Sequence, residues 1–177
     1  LMLHNKGLNA DDVATIGMIL SSRGLPRLTI LFIARNHDIG DAGINALCEG
    51  LVRGSAPSLR IVNIHSNQFG PAGAEALATA LGRGALPALC ELYLNSNSIG
   101  NHGIAALAAP LRKLPTLSRL ELSCCDLGDE GVAALVTDLG KDDFKALEVL
   151  CLFRNKITDA GMAKLVAAIN AGGLPKL

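Results

Sequence analysis

The sequence predicts an α/β solenoid, in which short parallel strands and α-helices alternate along a stack of similar coils. An apolar anchor recurs at Leu3, Ile33, Ile64, Leu94, Leu122 and Leu152, at successive spacings of 30, 31, 30, 28 and 30 residues, and a period in this range marks stacked units. The residues around each anchor recur in step with it. The composition agrees: half of the 177 residues are apolar, and four Phe, one Tyr and no Trp suit a thin repetitive core better than a globule built around large rings.

Each coil opens on a strand. Apolar residues stand two before the anchor, at Leu1, Leu31, Val62, Leu92, Leu120 and Leu150, and five before it, at Leu28, Leu59, Leu89, Leu117 and Leu147, so each copy reads L-x-x-L-x-L. Alternation at period two places these leucines on one face of a strand, and adjacent copies then line up as a parallel sheet with an apolar inner face. The strands are expected near 28–35, 59–66, 89–96, 117–124 and 147–154.

The chain must next turn out of the strand. Three residues after the anchor come Lys6, Asn36, Asn67, Asn97, Cys125 and Asn155, and an inward amide there can satisfy buried backbone groups, so that stacked asparagines form a ladder. Asp41, Asn101, Asp129 and Asp159, with Pro71 in the same slot, are expected just before the helices, where a short acceptor caps free amides. Glycine follows at Gly43, Gly73, Gly103, Gly131 and Gly161, with Asp12 in the first copy; its missing side chain suits close approach to the neighbouring coil. The runs ATIGMIL, NALCEGL, EALATAL, AALAAPL, AALVTDL and AKLVAAI repeat apolar residues at three and four, which predicts outer helices.

This pattern resembles the leucine-rich repeat, and its 28 to 31 residues per unit with a full helix resemble the ribonuclease-inhibitor-like subtype. The resemblance spans essentially the whole chain. It implies a single right-handed horseshoe over residues 1–177, with a concave parallel sheet and convex helices. About five full repeats are expected, with a partial one at each end. Only the first copy looks eroded, through Lys6 and Asp12, since Asn and Cys are both usual at the position of Cys125. Leu1 already lies in a strand, and Leu174-Pro175-Lys176 repeats the approach seen at Leu86-Pro87-Ala88. Solenoids carry polar caps, so the chain reads as a section of a longer protein.

Charge narrows the function. Sixteen basic residues balance sixteen acidic ones along the chain, which argues against nucleic-acid binding, where a basic stripe is needed, and against a ribonuclease-inhibitor role, where acidic steering charge is expected. No apolar run is long enough to span a bilayer. The five cysteines are odd in number, without C-x-x-C spacing, and read as reduced thiols. No Asn-x-Ser/Thr acceptor occurs, and together these lean towards the cytoplasm. Cys124 and Cys151 are the one pair placed to share a metal or redox role. Nucleotide-binding, zinc-protease and hydrolase signatures are missing, so no catalytic residue and no cofactor is expected.

What remains is a surface. Strand residues beside the inward leucines face the hollow of the horseshoe: Met2, His4 and Asn5; Ile30, Phe32, Ala34 and Arg35; Ile61, Asn63, His65 and Ser66. The later copies add Glu91, Tyr93, Asn95 and Ser96; Arg119, Glu121, Ser123 and Cys124; Val149, Cys151, Phe153 and Arg154. Three of the five aromatics fall here, with arginines beside them, the residue types that protein interfaces favour. The expected function is non-enzymatic protein or peptide binding, with Phe32, Tyr93 and Phe153 as anchors, Arg35, Arg119, Glu121 and Arg154 setting register, and His65 alongside. The resemblance also admits a GTPase activator similar to the Ran GTPase-activating proteins, although the acidic tail of that family is not seen, or a structural subunit of a larger assembly. Nothing in the sequence speaks to oligomeric state.

Overall fold

The computed structural model describes residues 1–22 and 25–177. Strand and helix alternate: α1 (Ala10–Ser21), β1 (Ile30–Phe32), α2 (Gly40–Gly50), β2 (Ile61–Asn63), α3 (Pro71–Gly82), β3 (Glu91–Tyr93), α4 (Gly100–Arg112), β4 (Arg119–Glu121), α5 (Asp129–Val136), β5 (Val149–Cys151) and α6 (Asp159–Asn170). The strands form one parallel sheet in chain order, with Leu31, Val62, Leu92, Leu120 and Leu150 in register. The first copy adds an isolated bridge, Met2 to Phe32. No helix among the described residues is long and apolar enough to cross a membrane.

The strands are three residues long, shorter than the repeat suggests. The leucine that opens the motif closes a turn instead: Leu28, Leu59, Leu89 and Leu147 each donate their amide to the carbonyl three residues back. Beyond the anchor, Asn5, Arg35, Ser66, Ser96, Cys124 and Arg154 all adopt left-handed backbone, with φ from 53° to 58°. Left-handed geometry ends a strand at once. Its recurrence in every copy marks it as part of the turn's design.

Between sheet and helices the leucines pack as one cluster, in which Leu31, Ile33, Leu59, Leu92, Leu94, Leu120 and Leu122 are wholly buried. The asparagines bind successive coils into the expected ladder. Asn36 Oδ1 accepts the amides of Lys6 and Leu8, Asn67 Oδ1 that of Asn36, Asn97 Oδ1 that of Asn67, and Asn155 Oδ1 those of Cys125 and Leu127, all between 2.8 and 3.1 Å. Their amide groups donate back to strand carbonyls such as Ile33 O and Leu94 O. Cys125 interrupts this ladder, because its sulfur reaches only carbonyls, those of Leu94 and Ser123.

The helix starts correct one expectation. Asp41, Asn101 and Asp129 do not precede their own helices; they lie in the first turn of them and cap the helix of the following coil. Asp41 Oδ1 accepts the amides of Gly70 and Gly73, both at 2.7 Å. Asn101 Oδ1 accepts those of Gly128 and Gly131, and Asp129 holds both the amide and the hydroxyl of Thr158. The repeat glycine makes room for this, since a Cβ on Gly73, Gly131 or Gly161 would meet the capping oxygen at 2.9, 2.8 or 2.4 Å.

The slot also dictates the backbone ahead of each helix. Where the preceding coil offers an acceptor, the residue before the helix is extended, as at Gly70, Gly128 and Thr158. Where the preceding coil has Ala10 or Pro71 in the slot, no such oxygen exists. Gly40 and Gly100 then turn left-handed, at φ 53° and 63°, and donate forward to Asn67 O and Cys125 O. Left-handed backbone demands glycine there, whereas extended backbone tolerates Thr158. In the first copy Asp12 stands in the glycine slot and exchanges hydrogen bonds with Asn9 in a capping box that closes α1 on itself.

Around α5 the rhythm slips. The six-residue connection between Leu111 and Leu117 places Arg112, which donates to the last carbonyls of α5, Ala134 O and Leu135 O. Lys113 pairs with buried Asp143, whose carboxyl is held below the usual range by that ammonium. Phe144, fully buried at φ 44°, donates its amide to Arg112 O.

Candidate protein-binding surface

The iBi burial of strands β1 to β4, with the middle residue inside and its neighbours half-buried, turns two rows of side chains towards the hollow. At its N-terminal end the rings of His4 and Phe32 stack at 4.9 Å and 23°, and His65 lies 6.2 Å from Phe32 on the other side. Phe32 is thus flanked by two imidazoles. His65 Nδ1 lies 2.7 Å from Asn63 Oδ1, which fixes its ring. Burial lowers the His65 pKa, and the charges of Arg35 and His4 lower it further.

The middle of the face is a paired network. Tyr93 donates its hydroxyl to Glu91 Oε2 at 2.6 Å, and burial followed by that carboxylate pushes the phenol up to about 12. Arg119 bridges Glu121 at 3.0 Å, the carboxylate being only 15% exposed. Cys151 lies beside them, its thiol raised first by burial and then by Glu121. Arg119 and Glu121 therefore satisfy each other along one strand.

Phe153, 63% exposed, stands at the C-terminal end with the Arg154 guanidinium 5.9 Å from its ring centre. Such stacking is worth roughly 0.5–1 kcal/mol at an exposed site. Arg35 and Arg154 occupy the same left-handed turn position and are both exposed. Two residues expected on this face are not there: Ala34 and Ser123 are buried, at 0% and 1% exposure, because a methyl or hydroxymethyl group at that register does not reach past its neighbours. Their larger counterparts His65 and Asn95 are partly exposed. Asn63, Glu91 and Cys151, also on this face, are partners of the singled-out residues, Asn63 and Glu91 two places before theirs on the same coil and Cys151 opposite Glu121 on the next strand.

On the helical side a groove between α3 and α4 is lined by Ala78, Thr79, Gly82, Ala106 and Pro110. All five cysteines are free thiols. Among the described residues, no three His, Cys, Asp or Glu side chains gather into a metal-holding group. Burial pushes both Cys48 and Cys125 up to about 12, and the thiolate is the reactive species. Iodoacetamide at pH 8 is accordingly expected to spare these two in the folded protein and to modify all five after denaturation. Mass mapping of alkylated peptides checks this, and early labelling of Cys125 would contradict its placement in the core.

A parallel sheet on one side, helices on the other and an inter-coil asparagine ladder define a solenoid of stacked strand–helix coils. A model of the leucine-rich repeat matches residues 26–48, 55–78, 113–136 and 146–166, just over half of the chain, and the protein belongs to the leucine-rich repeat family. Comparison with curated proteins finds no match. Among solved structures, the chain is similar to the C-terminal domain of tropomodulin from Caenorhabditis elegans, with a TM-score of 0.69 and 13% identity over 90% of this chain and 92% of that one. It is also similar to actin-binding site 2 of leiomodin-1, with a TM-score of 0.67 and 17% identity over 94% of this chain and 87% of that one. At these identities the likeness is one of fold.

Proposed function

We propose that the protein is a non-enzymatic module that holds another protein, or a peptide, on its concave sheet. The observation that carries this is the partition of the aromatics. Phe69 and Phe144 are fully buried in the core, whereas Phe32, Tyr93 and Phe153 sit at least partly exposed on one face. Large rings held on a rigid sheet lose little entropy on docking and are typical binding anchors. The leiomodin-1 structure is named for an actin-binding site, which supports the same class of function, a coil stack that engages another protein.

Purified actin and affinity capture from a cell extract supply candidate partners for the test. Replacing Phe32, Tyr93 and Phe153 together by alanine is expected to weaken binding at least about 100-fold, at roughly 1–2 kcal/mol per anchor. Thermal unfolding should move little, since none of the three belongs to the buried cluster. Unchanged affinity, with loss instead on filling the α3/α4 groove by Ala106→Trp, would move the site to the helices.

A further inference from the structure

The concave face is electrically divided, and its N-terminal half says what kind of segment it suits. Across the first three coils the outward residues are Met2, Ile30, Phe32 and Ile61, bordered by His4, Arg35 and His65 where each strand turns. Lys6, in the turn of the first coil, is exposed. Both charges that act on His65, those of Arg35 and His4, are cationic, and Asn63 and Asn95, next to it on its own strand and the following coil, are neutral. The carboxylates of the face lie in its middle, Glu121 paired with Arg119 and Glu91 hydrogen-bonded by the Tyr93 hydroxyl. An apolar floor with a cationic border, reached by a carboxylate of the face only at its far edge where Glu91 lies opposite Ile61, is half of a complementary pair.

We propose that this half of the sheet binds an extended acidic segment of a partner, an apolar side chain lying over Phe32 and a carboxylate meeting Arg35 with His4 and His65. The assignment rests on the concave sheet being the docking surface. A carboxylate here would reverse the unfavourable field that His65 feels, so docking is coupled to proton uptake. Because the His65 pKa starts below 6.5 in the free protein and rises on docking, affinity climbs as pH falls through the bound-state value. It levels off below the free-state value.

The probes are fluorescein-labelled peptides of four Leu-Glu dipeptides and their Leu-Lys and Leu-Gln counterparts, read by anisotropy between pH 5.5 and 8. The Leu-Glu peptide is expected to bind about tenfold tighter than the Leu-Lys peptide at pH 6, with the gap narrowing towards pH 8. Arg35→Gln should remove most of the preference. His4→Asn with His65→Asn should flatten the pH dependence while leaving the part due to Arg35, and circular dichroism confirms that each variant is folded. Equal or tighter binding of Leu-Lys, a preference that survives Arg35→Gln, or no binding by any of the three overturns the proposal. Loss of partner capture in the triple alanine variant, alongside such a result, would leave the concave surface standing and remove only its acidic specificity.

Discussion

Asn67→Ala is expected to lower unfolding stability by about 3 kcal/mol, since a buried donor left without a partner costs roughly 1–3 kcal/mol and a second lost bond about 1. Asn67 is 0% exposed. Its Oδ1 takes the amide of Asn36 and its Nδ2 donates to Ile64 O. Alanine removes both and leaves a small cavity. Ile64 O keeps a second donor in Asn97 Nδ2, so the uncompensated loss falls on the Asn36 amide, one coil away. Urea denaturation measures the change, and amide exchange should show new opening at Asn36. A shift under 1 kcal/mol would mean that the ladder orders the coils without stabilising them.

Asp41→Ala is expected to cost about 2 kcal/mol, the upper range for losing a helix cap, because one carboxylate oxygen serves two amides of buried glycines, Gly70 and Gly73. The diagnostic feature is where the damage appears. A residue capping its own helix would loosen α2, whereas the geometry here predicts faster exchange in the first turn of α3, with α2 protected. Asp41→Asn should recover most of the loss, since Asn101 performs this task between α4 and α5 with a neutral amide. Faster exchange confined to α2 would refute capping between coils.

The solenoid was legible because its cause is periodic. Six anchors in step and a polar residue three places on dictate coils that cannot bury their leucines alone, and the ladder found at Asn36, Asn67, Asn97 and Asn155 follows from that register. The capping residues were legible as acceptors but not in direction, because a side chain at a helix start lies near two sets of free amides and only the stacking distance between coils selects one. Phe144 holds the recurring turn position of Leu25, Ala56 and Leu86, but the burial of Asp143 against Lys113 has no counterpart in the other copies and left no periodic signal.

For the candidate surface, alternation alone placed Phe32, His65, Tyr93, Arg119, Glu121 and Phe153 on one side of the strands. It erred at Ala34 and Ser123, where side-chain reach decides exposure. Residue order and period thus determined the fold, the sheet and the face each side chain takes, because these depend on local geometry repeated along the chain. The tertiary structure decided which neighbours meet: Phe32 between His4 and His65 and Asp41 on the next helix from one coil to another, Tyr93 on Glu91 and Arg119 on Glu121 along a single strand. Contacts between coils depend on the rise from one coil to the next and on side-chain length, and neither is written in the spacing of a repeat.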